Sequence, residues 1–192
     1  MIGSKCPLCG REGCYRAITP YERWVIDLFP RFRKERIPVA RFLCRTVRKT
    51  FSLLPIHLIP YGLYTVDAVA GTLLMGLGCF RLGGRGFQGA SVAVDPEGSV
   101  TPWLVYFWLI KVFFGFQRCH RVLRRWFDLS ILSTSPSRWE TVGGYFKALG
   151  WEGDYRRRLG DVLFRYGRAT RSFFFGTPSR ERRSRFLAGS SA

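Results

Sequence analysis

The strongest chemical signal in the chain is Cys6-Pro7-Leu8-Cys9-Gly10. Two thiolates separated by two residues can grip one tetrahedral Zn²⁺, because the turn between them points both sulfurs the same way. The glycine after the second cysteine permits the left-handed backbone that turns amides toward sulfur. A complete zinc ribbon repeats this knuckle after a pair of strands. Here the second half is Cys44-Arg45-Thr46-Val47, with Val47 standing at the fourth-ligand position. Cys14 offers a replacement, giving Cys6, Cys9, Cys14 and Cys44 as ligands, provided that the segment after the first knuckle folds back. The competing reading is a degenerate ribbon that keeps its sheet and has lost its metal. Cys79 and Cys119 lie in apolar helical surroundings and read as small buried hydrophobes. His120 follows Cys119, but adjacent residues on a helix point about 100° apart and cannot form a nucleophile–base pair. His57 has no companion ligand.

Charge is the second signal. The 192 residues carry 31 Lys plus Arg against 13 Asp plus Glu, a formal charge of +18, and 26 of the cations are Arg. Residues 1–50 hold 12 basic and 4 acidic side chains, residues 51–152 hold 9 and 6, and residues 153–192 hold 10 and 3, so two basic ends flank a nearly neutral middle. Self-repulsion on this scale points to an anionic partner, nucleic acid first and an acidic membrane surface second. Three groups of cations are candidates for phosphate contact. Arg31, Arg33, Lys34 and Arg36 crowd a connection after Pro30, where a solvated hairpin is the alternative. Arg118, Arg121, Arg124 and Arg125 share one helical face by their i, i+3, i+6, i+7 spacing. Arg156, Arg157 and Arg158 begin the basic C-terminal part, whose helix also carries Arg165, Arg168 and Arg171.

The elements that must position these residues change character along the chain. Strands are expected over Glu22 to Phe29, with Trp24, Ile26 and Leu28 on one face, over Arg36 to Phe42, and over Thr50 to Leu54. From Thr65, a plausible N-cap, the period changes to about 3.6: Val66, Val69, Ala70, Leu73, Leu74 and Leu77 make one stripe. Gly76, Gly78, Gly83, Gly84 and Gly86 are expected to end this helix and open a flexible loop. A short amphipathic piece, Phe87 to Val94, and the turn Asp95-Pro96-Glu97-Gly98 follow. Thr101-Pro102 reads as an N-cap with proline at the first helical position. The next helix, Trp103 to about Phe116, occupies the place of a recognition helix but is nearly all apolar, which suits a core element. Two more stripes follow, Trp139, Val142, Tyr145, Phe146, Leu149 and Tyr155, Leu159, Val162, Leu163, Tyr166. Phe173-Phe174-Phe175 is expected to fold back onto the core.

The fold expected is α+β: a three-stranded zinc-ribbon-like sheet over residues 1–58, a helical, helix-turn-helix-like part over 59–176, and a disordered basic tail over 177–192. A membrane span needs about 20 apolar residues. Thr50 to Val66, Ala68 to Phe80 and Ser99 to Ile110 each fall short or are broken by prolines. Met1 to Gly10 has no apolar run, so a cytoplasmic protein with free or metal-bound thiols is expected.

The string Ile37-Pro38-Val39-Ala40-Arg41-Phe42-Leu43-Cys44, followed by Thr50-Phe51-Ser52-Leu53-Leu54-Pro55 and Pro60-Tyr61, resembles the zinc-ribbon head of bacterial insertion-element transposases and of small stand-alone proteins that share it. The likeness spans about residues 6–130, with specificity at Cys6 to Gly10 and Arg41 to Tyr61. It implies a ribbon linked to a helix-turn-helix, structural zinc on Cys6, Cys9 and Cys44, and binding of transposon-end DNA. Val47 departs from the pattern. Catalysis is not expected, since a transposase core needs three carboxylates on an RNase H-like sheet to hold two Mg²⁺ ions. Asp67, Asp95, Asp128, Asp154 and Asp161 lie on or beside helices and turns instead. A small-molecule substrate is not expected either. The alternative function is a peripheral membrane or protein-interaction role through the apolar helix 103–116.

Overall fold

Tyr15–Asp27 (β1) runs antiparallel to Arg33–Cys44 (β2), which pairs with Thr50–Leu53 (β3) in the order β1-β2-β3. Five helices follow, so the α+β class holds. The computed structural model describes residues 5–95, 98–130, 132, 135–152, 155–170 and 173–174, with the side chains of Arg156 and Arg157 excepted. The tail expected over 177–192 lies outside the described residues.

The strand β1 starts seven residues before the Glu22 expected for it. The register with β2 shifts between Ile18 and Tyr21, leaving Thr19-Pro20 in an irregularity of the ladder. A proline has no N–H to give the ladder, and such a bulge is where a strand tolerates one. Trp24 is also corrected. It lies 42% exposed, while Val25, Ile26 and Leu28 are buried. Trp24 pairs with Arg36, beyond the Ala40 to Leu43 stretch that β3 reaches, so it lies in the two-stranded part of the hairpin.

The first compact unit, Met1–Gly71, runs past the boundary expected at 58. Residues 58–65 return to the sheet through a bridge between Ile26 and Tyr64, and a bridge between Leu58 and Thr65 closes the segment on itself. Arg23 ties the same loop down, its guanidinium donating to Ile59 O at 2.6 Å and to Gly62 O. Thr65 caps the first helix, Val66–Gly83 (α1), as expected: its Oγ1 accepts from Ala68 N at 3.0 Å and donates to Asp27 at 3.2 Å.

The second unit, Thr72–Ala192, holds the rest of α1 with Gly86–Val94 (α2), Pro102–Leu123 (α3), Arg138–Ala148 (α4) and Tyr155–Thr170 (α5). Gly76 and Gly78 do not end α1. The helix runs through them, and only Gly84 and Arg85 separate it from α2. Gly76 and Gly86 are there for close approach. A Cβ on Gly86 would lie 2.9 Å from Trp139 Cε2 and 3.0 Å from Gly76 O, so α1, α2 and Trp139 pack backbone against ring. Neither neighbour is a flexible tip that could move aside. Gly86→Ala is therefore expected to destabilise by about 1 to 3 kcal/mol through overpacking, read as a lower urea midpoint at unchanged slope. An unchanged midpoint would show that the contact relaxes freely.

Thr101 caps α3 with its side chain accepting from Leu104 N, and Pro102 opens the helix, as expected. The helix runs on to Leu123 with Val105, Trp108, Leu109, Val112, Phe116, Cys119 and Leu123 buried. It is a core element. Residues 95–101 separate it from α2, twice the length of the three- or four-residue turn of a helix-turn-helix. Asp95 organises that connection, accepting from Val100 N at 2.7 Å. Phe174 does fold back, buried with its ring 5.2 Å from that of Phe116. By length and composition α1 is apolar enough to cross a membrane, and half of its 18-residue window is buried inside the protein.

Candidate functional site

The knuckle forms as a turn in which Gly10 N donates to Cys6 O at 2.9 Å and Cys6 N donates to Arg11 O at 2.9 Å. Gly10 takes the left-handed φ of 74°, the conformation expected of it, and Gly13 takes 65° just before Cys14. These two reversals fold the segment back. Cys14 then enters β1 beside the end of β2, where Tyr15 pairs with Cys44 and Arg45 N donates to Cys14 O at 2.8 Å. Cys44 is held from the other side by its own N–H to Lys49 O at 2.9 Å.

All four sulfurs, of Cys6, Cys9, Cys14 and Cys44, consequently lie within 4.8 Å of one another. Cys9 and Cys14 Sγ are 3.1 Å apart, Cys9 and Cys44 3.6 Å, and Cys14 and Cys44 3.8 Å. A tetrahedron of sulfurs about 2.3 Å from a central ion has edges of about 3.8 Å, so the cluster is the size of a one-ion site. Disulfides close at about 2.05 Å, and all six cysteines are free. Val47, at the expected position of the fourth ligand, sits exposed in the turn after β2. Cys14 takes the fourth place in the cluster because strand pairing, rather than sequence spacing, brings its sulfur in.

The thiols hydrogen-bond one another. Cys9 is drawn down to about 6, first by the hydrogen bond with Cys14 and then by one from the Arg11 backbone. Cys14, on the other side of that bond, is pushed up to about 12.

The cations of the first hairpin are placed differently from expectation. Only Arg31 lies in the connection, whereas Arg33, Lys34 and Arg36 belong to β2, all exposed. Arg36 is the cross-strand partner of Trp24, with its guanidinium 4.5 Å from the ring centroid, and Lys34 Nζ lies 5.1 Å from it. This basic, aromatic face was missed by the sequence reading. The signal was available in the antiparallel register, which puts Trp24, Lys34 and Arg36 on one side. Arg36 also pairs with Glu22, and Arg33 with Glu35, each at 3.3 Å.

In the second unit Arg118 and Arg121 are exposed on α3, but the helix ends at Leu123, so Arg124 is its C-cap and Arg125 lies in the turn beyond. The four do not form one uninterrupted helical face. Arg158 is exposed on α5, while the side chains of Arg156 and Arg157 lie outside the described residues. Arg165 on α5 stacks over Trp126 at 4.6 Å. Burial keeps Cys119 protonated, pushing its thiol up, and the same cause raises Tyr145. His120 Nδ1 is 2.8 Å from Tyr145 Oη, a structural hydrogen bond rather than a partner for Cys119. Scans against protein-family models, curated proteins and solved structures each return no match to this chain.

Proposed function

We propose that this is a non-catalytic, cytoplasmic DNA-binding protein, related to the N-terminal regions of insertion-element transposases, that holds one structural Zn²⁺ on Cys6, Cys9, Cys14 and Cys44. The observation that carries the reading is the four-sulfur cluster at the root of the β1-β2 hairpin, because it makes a rigid ribbon of the strands bearing Arg33, Lys34 and Arg36. Four thiolates at tetrahedral spacing favour zinc over the hard cations, which take oxygen ligands. The metal would close the site and stiffen the knuckle, supplying no open position for substrate.

Cations exposed around Trp24 suit phosphates, with the ring available to a sugar or base edge. Arg31 and the exposed Arg118, Arg121, Arg124, Arg125 and Arg158 add to the positive field. The transposase relation rests on the string from Ile37 to Tyr61. The non-catalytic part is supported by the carboxylates' engagements: Asp27, Asp95 and Asp128 each accept from a backbone N–H close by in the chain.

A gel-shift on duplex DNA across a salt series tests this. Affinity should fall steeply with salt. Changing Arg31, Arg33, Lys34 and Arg36 together to Ala should reduce the slope of log K against log salt by about 2 to 4, with the lower figure set by the two ion pairs. The thermal midpoint should move little, since these side chains are exposed. Duplex retention that ignores salt, or none at low salt, would refute the reading.

A further inference from the structure

The outward face of α3 reads, from its N-terminus, Trp103, Phe107, Lys111, Phe114, Arg118 and Arg121, all exposed and spaced by three or four residues. The rings are 73%, 45% and 50% exposed, and no Asp or Glu occurs between Pro102 and Leu123. At 1.5 Å per residue the stripe is about 27 Å long. Exposed rings in one line mark an interaction surface rather than ordinary surface scatter.

We infer that this stripe pairs with the same stripe of a second copy of the chain, antiparallel, about a two-fold axis between Lys111 and Phe114. The order of residue types selects that occupant. Turned end for end about that axis, Trp103 meets Arg121, Phe107 meets Arg118 and Phe114 meets Lys111, so every ring faces a cation and symmetry repeats each contact. A two-fold interface requires this self-complementarity, and cation–ring contacts are attractive within about 6 Å of the ring centroid. The chain already makes one along this line, with Lys111 Nζ 4.7 Å from the Phe107 centroid. Trp103 is held for the contact by stacking on Tyr106, with centroids 5.2 Å apart.

Other occupants fit less well. An anionic polymer satisfies the cations and leaves three rings facing phosphate. A membrane separates rings from charges by depth, whereas here both lie on one line. One helix face is smaller than the roughly 800 Å² per partner of a stable complex, so the dimer is weak and its two +18 copies repel. Salt screens the repulsion. Dimerisation should therefore strengthen as salt rises, opposite to DNA binding, and the two readings can fail separately.

Sedimentation velocity of the full chain at tens of micromolar, in low and high salt, is the test. Wild type should show a monomer–dimer equilibrium that tightens with salt. The double variant W103A/F107A removes four of the six contacts and should weaken it at least about tenfold. W103E/F107E should restore it, because each new carboxylate then faces Arg121 or Arg118 of the other copy. Circular dichroism confirms that both variants fold, as expected for exposed positions, and Val92→Ser, exposed on α2, serves as the surface control. A chain monomeric in both salts overturns the inference. So does a dimer indifferent to W103A/F107A, or a folded W103E/F107E that stays monomeric. Loss of DNA retention in W103A/F107A without any dimer would give the stripe to nucleic acid and overturn it as well.

Discussion

Replacing Cys44 with serine is expected to weaken zinc binding at the four-cysteine cluster sharply and, with it, to destabilise the fold of the first unit. Cys44 and Cys6 are the buried pair of the cluster, and Cys44 also closes the pairing of β1 with β2. The unit's apolar core is small: Val25, Ile26, Leu28, Val39 and Leu58 are its main buried side chains before α1. Domains of about 70 residues rarely gain enough from such a core and are commonly stapled by a metal. Structural zinc in small peptides binds with about 10 to 16 kcal/mol. Losing one thiolate of four should remove about a quarter of that, a drop in affinity of some hundredfold to thousandfold. Metal analysis of purified wild type should give one zinc per chain. Cys44→Ser and Cys6→Ser should lose zinc to a chelator about a hundredfold to thousandfold more readily, and the first thermal transition should broaden or vanish. Less than about half an equivalent in wild type would refute the intact ribbon. A Cys44→Ser protein that held zinc against a chelator as tightly as wild type would refute the ligand assignment.

The other large effect belongs to Phe116. Its side chain is fully buried, stacked on Tyr145 with centroids 4.3 Å apart and planes 2° off parallel, and surrounded by Phe146, Trp151 and Phe174 at 5.9, 5.9 and 5.2 Å. No other residue touches α4, the following Trp151 and the returning Phe174 through rings in this way among the described residues. Phe116→Ala should cost about 3 to 5 kcal/mol, because a hole ringed by rigid aromatic side chains cannot collapse to fill itself. That is a large share of a typical domain's stability of about 5 to 15 kcal/mol. Phe116→Leu should cost less, since it leaves a smaller void. Urea unfolding followed by Trp fluorescence measures both. A cost below about 1 kcal/mol for the alanine variant would mean that this ring is not central to the core.

Much of this was legible in the chain itself where the cause is local. Thr101-Pro102 starts a helix because a capping oxygen and a missing N–H are properties of those two residues. The knuckle Cys6 to Gly10 closes for a similar reason, as do the helical stripes. Local signals misled where packing overrides them. The glycines after Leu74 read as a helix end, since glycine is a poor helix former, yet Gly76 and Gly86 stay in helices so that Trp139 can reach the backbone. Trp24 read as core from its period-two pattern. Its exposure depends on where along the hairpin β3 and the returning 63–65 segment reach, which are long-range contacts.

The candidate metal centre divides along the same line. Three cysteines and the basic character of both ends were determined by residue types alone, which no fold can alter. Whether Cys14 joins the other three, or the ribbon is degenerate with Val47 in place of a cysteine, was not, because that turns on how the segment after the knuckle folds back. The tertiary structure gathers the four sulfurs through the pairing of Tyr15 with Cys44, which sets the Cys14 sulfur among the other three and leaves Val47 exposed. That register joins residues 29 apart in sequence, and it is set by the turn and the buried face of the whole hairpin rather than by the residues around Cys14.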